Sequence, residues 1–255
     1  MTDIGLTGVD ISHHQLSGPF EPAELPATVQ YAYIRTTYGV RLDREFEAHF
    51  AEMREKRPEI ALGPYHFYRQ TQGWREQYVA WRDAMDRVDI REQSKCPALD
   101  MEWNTRYDGK VKPAHFSAEC YEIAQRVRDD FGVCSLYLAP GFYQTLGEPE
   151  WMLDFPWWIA HFNVSRPWCP WKEWAEWQYG TRQTGAYTRP IDANIHKGEL
   201  LLATKTPPWE LDEIPTLPDD HGEPHAPEID SSIADELANA GNAFLRASMT
   251  LKGNK

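Results

Sequence analysis

The sequence lacks the features that mark several functional classes. It has 4 cysteines in 255 residues, namely Cys96, Cys120, Cys134 and Cys169. They are so widely spaced that neither a CxxC redox pair nor a zinc ribbon is written, and buried free thiols are the plain reading. No run of about 18 apolar residues occurs, so no segment could cross a bilayer as a helix. Positive charge is scarce: 26 Lys and Arg stand against 39 Asp and Glu, a formal net charge of −13, which argues against the concentrated positive field of a nucleic-acid surface. No segment of about 20–50 residues recurs, which excludes an array of repeated modules. The HExxH spacing of a zinc hydrolase and the Gly-x-Ser-x-Gly elbow of a serine hydrolase are both missing, so no metal or other cofactor is implied, His13, His14 and His66 notwithstanding. The opening Met-Thr-Asp-Ile-Gly has neither the basic start nor the apolar stretch of a secretory signal, and synthesis in the cytoplasm is expected.

Aromatic residues are abundant, with 11 Trp, 12 Tyr and 10 Phe. That is more than a core of this size needs, and some of the rings are expected to serve a ligand. Along the chain, β-rich runs (Gly8 to Ser12, Tyr31 to Thr37, Ile60 to Tyr68, Ala98 to Trp103, Val133 to Ala139) alternate with helical patterns, the signature of βα units around a parallel sheet or barrel. Trp74, Tyr78, Trp81, Met85 and Val88 follow a 4-3-4-3 spacing that puts five large apolar groups on one helical stripe. A second helix begins near Pro113, repeats the pattern at Phe116, Cys120, Ile123 and Val127, and stops at Gly132, which can take positive φ. After Pro140 the pattern changes. Trp157 to Phe162, Glu176 to Tyr179 and Tyr187 to Ile195 read as strands with no room for full crossover helices. Residues 206–228 form an acidic, Pro-rich stretch expected to be an extended linker, so a catalytic or binding domain is drawn at 1–205. Residues 229–255 carry Ile233, Leu237, Ala240 and Phe244 at helical spacing. An isolated amphipathic helix is marginal, so this one wants a partner surface, its own domain, another copy or another protein.

The chemistry is concentrated in acids. Two Asp-x-Glu matches occur. Asp43-Arg44-Glu45 reads as a solvated, acidic helix start. Asp100-Met101-Glu102 lies instead between Leu99 and Trp103, where a carboxylate is costly to desolvate, and residues i and i+2 of a strand share a face. Neighbouring carboxyls split their titrations, so one keeps its proton while the other stays ionised. Glycosidic cleavage needs such a pair: a proton donor for the leaving oxygen and a negative group for the charge developing at the sugar C1. Asp10, at the end of the first strand, and Asp192, on the last, would reach the same mouth if the chain closes into a barrel. Tyr65, Tyr137 and Trp158 lie near strand ends and are candidates for stacking on sugar faces. Trp157 must point to the side opposite Trp158.

Taken in order, Gly8-Val9-Asp10-Ile11-Ser12-His13-His14-Gln15, Tyr33-Ile34-Arg35-Thr36-Thr37 with Gly39, Gly63-Pro64-Tyr65-His66-Phe67-Tyr68, Leu99-Asp100-Met101-Glu102, Trp158-Ile159-Ala160, Trp177-Gln178-Tyr179 and Ile191-Asp192-Ala193-Asn194 resemble the motifs of the glycoside hydrolase family 25 lysozymes. These are the Chalaropsis-type N-acetylmuramidases that include many phage endolysins, and the resemblance spans residues 5–200. It implies an α/β fold, a flattened TIM-like barrel of the (β/α)5(β)3 type, without a cofactor. It further implies hydrolysis of the β-1,4 bond between N-acetylmuramic acid and N-acetylglucosamine in peptidoglycan, and with the missing secretory signal action on the bacterial wall after phage-type release is expected. By motif position Glu102 would be the general acid. Asp100 would orient the 2-acetamido group or stabilise the charged intermediate, and Asp10 and Asp192 would organise the site. A non-catalytic glycan-binding or virion structural module on the same barrel is the rival reading. Leu138 in place of a common Thr, Thr188-Arg189-Pro190 before Asp192, and the Trp- and Pro-rich stretch from Asn163 to Trp174 depart from the family pattern.

Overall fold

The computed structural model describes residues 5–15, 20–103, 108–170, 173–186 and 190–207. Among these residues nine strands form one sheet: β1 (Leu6–Ile11), β2 (Val29–Tyr38), β3 (Arg41–Leu42), β4 (Ala61–Phe67), β5 (Ala98–Asp100), β6 (Ser135–Leu138), β7 (Trp157–Ala160), β8 (Glu176–Arg182) and β9 (Ile191–His196). Strand β3 is a two-residue antiparallel extension of β2. The other eight close on themselves, because β1 pairs both with β2 and with β9. Pairing is parallel from β1 round to β8 and antiparallel only where β9 joins β8 and β1. Closure removes every unpaired edge from the barrel and gathers the C-terminal ends of the parallel strands at one mouth.

Among the described residues four α-helices occupy crossovers: α1 (Phe46–Lys56), α2 (Trp74–Arg87), α3 (Pro113–Phe131) and the short α4 (Pro140–Thr145). The expected stripe of α2 is buried at all five positions, as is that of α3. Helix α3 opens with Pro113 and ends at Gly132, whose φ of 81° is the left-handed conformation that a side chain resists. Helix α1 had no strong periodic signal, because charged residues dominate it and one of its four buried positions is His49. The described part of the first crossover holds only two 3-10 turns, His13–Gln15 and Pro22–Glu24. The expected strand Ala98 to Trp103 ends at Asp100, and the last strand begins at Ile191. Residues 187–189 and nearly all of the linker and helix placed at 206–228 and 229–255 lie outside the described residues.

Alternation along the strands sorts side chains into two layers. Outward-facing Val9, Ile11, Ala32, Ile34, Leu99, Leu136, Leu138, Trp157 and Ile159 pack with the helices. Inward-facing Tyr31, Tyr33, Tyr65, Ala98, Tyr137, Trp158 and Ala160 fill the barrel. Trp157 and Trp158 thus take opposite sides. Leu138 is an outer-layer residue, so its departure from the family pattern does not reach the cleft. His66 also faces outward, stacked on Trp81 at 5.2 Å, with Nδ1 2.7 Å from the Thr37 hydroxyl. Burial pushes its pKa down to about 3, so it is a neutral core residue.

Large rings inside a small barrel require small neighbours. Gly8 faces the Tyr31 ring, and a Cβ there would sit 2.2 Å from Tyr31 Cζ. Beneath the aromatic layer, buried Lys95 Nζ lies 2.7 Å from Glu176 Oε1 and 2.9 Å from the Tyr33 hydroxyl, a fully enclosed ion pair at the closed end. Replacing Gly8 with Ala is expected to lower unfolding stability by about 1–3 kcal/mol, the usual range for overpacking. A urea midpoint equal to that of the parent chain would show that Tyr31 yields freely.

Candidate active site

At the open mouth the strands bring all seven residues singled out in the sequence to one cleft of about 430 Å³, lined by Asp10, Asp100, Glu102, Asp192, Tyr65, Tyr137 and Trp158 among others. Register explains the convergence. Asp10 lies directly opposite Asp192 across the β1–β9 pair. Asp100 is beside Tyr137, and Tyr137 is beside Trp158. Glu102 lies two residues past Asp100, beyond the end of β5, and is exposed to the cleft, whereas Asp100 is buried.

Two carboxamides hold Asp10. Gln178 Nε2 donates to Asp10 Oδ2 at 2.9 Å and Asn194 Nδ2 donates to the same oxygen at 2.7 Å. The amides are in turn oriented from their oxygen ends: the Tyr137 hydroxyl donates to Gln178 Oε1 at 2.8 Å and Trp158 Nε1 to Asn194 Oδ1 at 2.8 Å. Tyr137 and Trp158 therefore act first as orienting donors. Trp158 is 1% exposed, stacked on Tyr33 at 4.5 Å and met edge-on by Tyr65 at 6.2 Å. It is the floor of the cleft, with little free face for a sugar. Among the Phe, Tyr and Trp rings that line the cleft the most open is Phe162, 38% exposed, at the start of the unusual β7–β8 loop.

Electrostatics follow from crowding. Desolvation raises the Asp10 pKa to about 6 against the pull of its two amide donors, with the charge of Glu176 adding to the rise. Half-buried Asp192 is pushed up to about 8 by desolvation and then by Asp10 and Glu102. Asp100 is driven well above the carboxylate range by burial and by Glu102, and its Oδ1 has no hydrogen-bond partner among the described residues. Glu102 is raised by desolvation and by Asp10, while a Tyr137 hydrogen bond and Arg35 pull it back, and its exposure lets water in the cleft moderate the rise. The cluster therefore retains protons near neutral pH, as proton donation to a leaving group requires. Among the described residues no group of His, Cys, Asp and Glu side chains is placed to hold a metal ion.

Several residues at the mouth carried no role in the sequence reading. Arg35, Gln178 and Asn194 stand in quoted motifs, yet their function depends on contacts across the barrel. Asp43 needs a correction. It is not solvated: its side chain is 0% exposed, its Oδ2 accepts from Arg35 Nε at 2.9 Å and from the His13 backbone N–H at 3.2 Å, and its Oδ1 accepts from the Glu45 N–H at 3.1 Å. The helix-start contact is present, but the long-range ion pair dominates the environment. That pair could have been suspected only from the excess of acids over cations around one mouth.

Residues 9–186 match the family model described as glycosyl hydrolases family 25. No curated protein matches the chain in sequence. Among solved structures, the lysozyme of Streptomyces coelicolor superposes with a TM-score of 0.63 at 24% identity, covering 76% of this chain and 93% of its own. A family 25 glycosyl hydrolase from Bacillus anthracis gives 0.65 at 20% identity, covering 78% and 92%. The catalytic domain of an endolysin from a Listeria monocytogenes bacteriophage gives 0.60 at 20% identity, covering 77% and 95%. At these identities the likeness establishes the barrel fold.

The raised carboxyls predict a pH dependence of stability. An acid whose pKa is higher folded than unfolded binds more protons in the native state, so its contribution is full below about pH 4 and is lost as pH rises through the folded value. For Asp10 and Asp192 the folded values are about 6 and about 8. The melting temperature is therefore expected to fall between about pH 5 and pH 8, and Asp192→Asn should flatten the upper part of that fall. Identical slopes in the two proteins would show that Asp192 is not raised.

Proposed function

The chain belongs to glycosyl hydrolases family 25, and on that premise we propose that its acidic cleft hydrolyses the β-1,4 bond between N-acetylmuramic acid and N-acetylglucosamine in peptidoglycan, with Glu102 as the general acid. The observation that carries the reading is the difference between the two neighbouring acids. Glu102 is open to the cleft with its pKa raised, whereas Asp100 is buried beside it with one carboxyl oxygen unpaired. A proton donor must reach the glycosidic oxygen, and the exposed member of the pair is the one that can.

In this reading Glu102 gives its proton to the leaving oxygen as the C1–O bond breaks. The positive charge that spreads over C1 and the ring oxygen is met by the carboxyl groups of the cleft. Water then adds its hydroxyl to C1, and its remaining proton returns to the carboxylate pool. Asp100, through its free oxygen, takes the 2-acetamido N–H of the sugar and so sets the substrate over the acid. Asp10, locked by Gln178 and Asn194, is the fixed negative charge of the site, and Asp192 opposite it supplies a carboxyl that stays protonated to higher pH. The reaction needs no cofactor. A purely glycan-binding role gives no account of four carboxyls held together at the cost of desolvation.

Glu102→Gln preserves shape and removes the transferable proton. Its turnover on purified peptidoglycan is expected to fall by about 100-fold or more while the melting temperature stays close to that of the parent. Retained activity would refute Glu102 as the acid. Labelling the new reducing ends of the digest tests the bond itself: N-acetylmuramic acid ends are expected, and N-acetylglucosamine ends or none would overturn the proposal.

A further inference from the structure

Arg35 is the one Lys or Arg among the described residues that line the cleft. It projects inward from β2 and is 4% exposed. Tyr65 approaches it from β4 and Asp100 from β5, and both favour its charge against the cost of burial. Tyr38, further along β2, lies under the guanidinium at 5.7 Å. On the remaining side stand Asp43, from the turn before α1, and His13, from the turn after β1. His13 Nδ1 is 2.6 Å from Arg35 Nη2 and 2.9 Å from Asp43 Oδ2, so the His13 ring bridges the two partners. His14, packed ring to ring on His13 at 4.2 Å, completes the titratable surroundings at the rim, its pKa lowered by burial and by Arg35.

We propose that Asp43 is a positioning residue for the reaction, holding Arg35 by its Nε and offsetting its charge so that the guanidinium stabilises the ionised forms of Asp100 and Glu102 only in part and leaves the transferable proton on the cluster. The proposal rests on the reading of Glu102 as general acid. Its geometry is independent of that reading. Asp43 does not itself line the cleft, yet its buried carboxylate is saturated by donors that fix Arg35 and His13 in one arrangement. A lone buried cation beside four acids would otherwise draw their protons off, since an opposite charge at close range favours the ionised carboxylate. With Asp43 in place the Arg35 and Asp43 charges largely cancel at a distance, and the cleft keeps its excess of acid.

The two partners then have opposite signatures. Asp43→Asn keeps an acceptor for Arg35 but removes the offsetting charge, so the carboxyls ionise more readily. The alkaline limb of kcat/KM against pH should move to lower pH by roughly 0.5–1 unit. Arg35→Gln removes the cation, so the same limb should move to higher pH. In the double variant the two opposite charges are lost together, so the limb should return towards that of the parent. A packing role alone would lower activity or melting temperature without moving the limb. Limbs that coincide with that of the parent in both variants, or that shift in the same direction, would overturn the proposal. Should Asp43→Asn fold poorly, Arg35→Gln carries the sign by itself: an alkaline displacement supports the assignment and an unmoved limb ends it. If the parent chain released no reducing ends, the muramidase reading would fail instead, and the two failures are separate measurements.

Discussion

The constraint on which the molecule depends is the confinement of like charges. Four carboxyl groups share one cleft in which Arg35 is the sole Lys or Arg among the described lining residues, and that guanidinium is already engaged by Asp43. Such a cluster cannot be fully ionised at neutral pH, because each charge raises the cost of the next in a region that water only partly reaches. The fold must therefore bear a standing electrostatic strain at its mouth. It does so by fixing the surrounding donors: amide groups of Gln178 and Asn194 point their N–H ends at Asp10 because Tyr137 and Trp158 occupy their oxygen ends. Preorganised dipoles of this kind need no rearrangement when charge appears during reaction, which is where their value lies.

The closed end of the barrel supports the open one. The Lys95–Glu176 pair lies beneath Tyr33, and Tyr33 carries the stacked Trp158 that orients Asn194. An enclosed ion pair adds little net stability, but removal of one partner is costly, on the order of 3–5 kcal/mol, since the other is left charged and dry. The pair thus specifies one packing of the aromatic layer. The same layer accounts for much of the aromatic richness of the sequence. Tyr31, Tyr33, Tyr65, Tyr137 and Trp158 fill a barrel interior where shorter aliphatic side chains would leave voids, and Gly8 and Gly63 supply the space those rings need. Fewer rings are left for a ligand than the composition alone suggested.

What could be read from the sequence divides along the range of the interactions involved. The stripes of α2 and α3, the stop at Gly132 and the alternation that parts Trp157 from Trp158 depend on local geometry, and they were legible. The convergence of Asp10, Asp100, Glu102 and Asp192 was legible only through ordered motifs and an assumed closure. Helix α1 was obscured because its buried face is short and includes His49. Asp43 was misread for a related reason. Its nearest neighbours in sequence, Arg44 and Glu45, suggest a solvated turn, whereas its decisive partner Arg35 comes from the interior of β2 and His13 from a different crossover. A short-range rule assigns the backbone contact correctly and misses the ion pair.

The end of β5 shows why such a site is economical in chain length. Asp100 and Glu102 alternate onto the same face, about 6–7 Å apart along the chain, so the second lies nearer the mouth than the first. Strand β5 ends at Asp100, which is buried, and Glu102, two residues further on, is exposed at the mouth. One acid stays enclosed, where an unpaired oxygen has reason to seek a partner on the sugar. The other stands in the cleft, where it can meet the glycosidic oxygen and exchange protons with water between turnovers. Two residues with the same functional group thus acquire different protonation tendencies and different access from their different positions along one chain segment, and division of labour between donor and orienting group follows from depth.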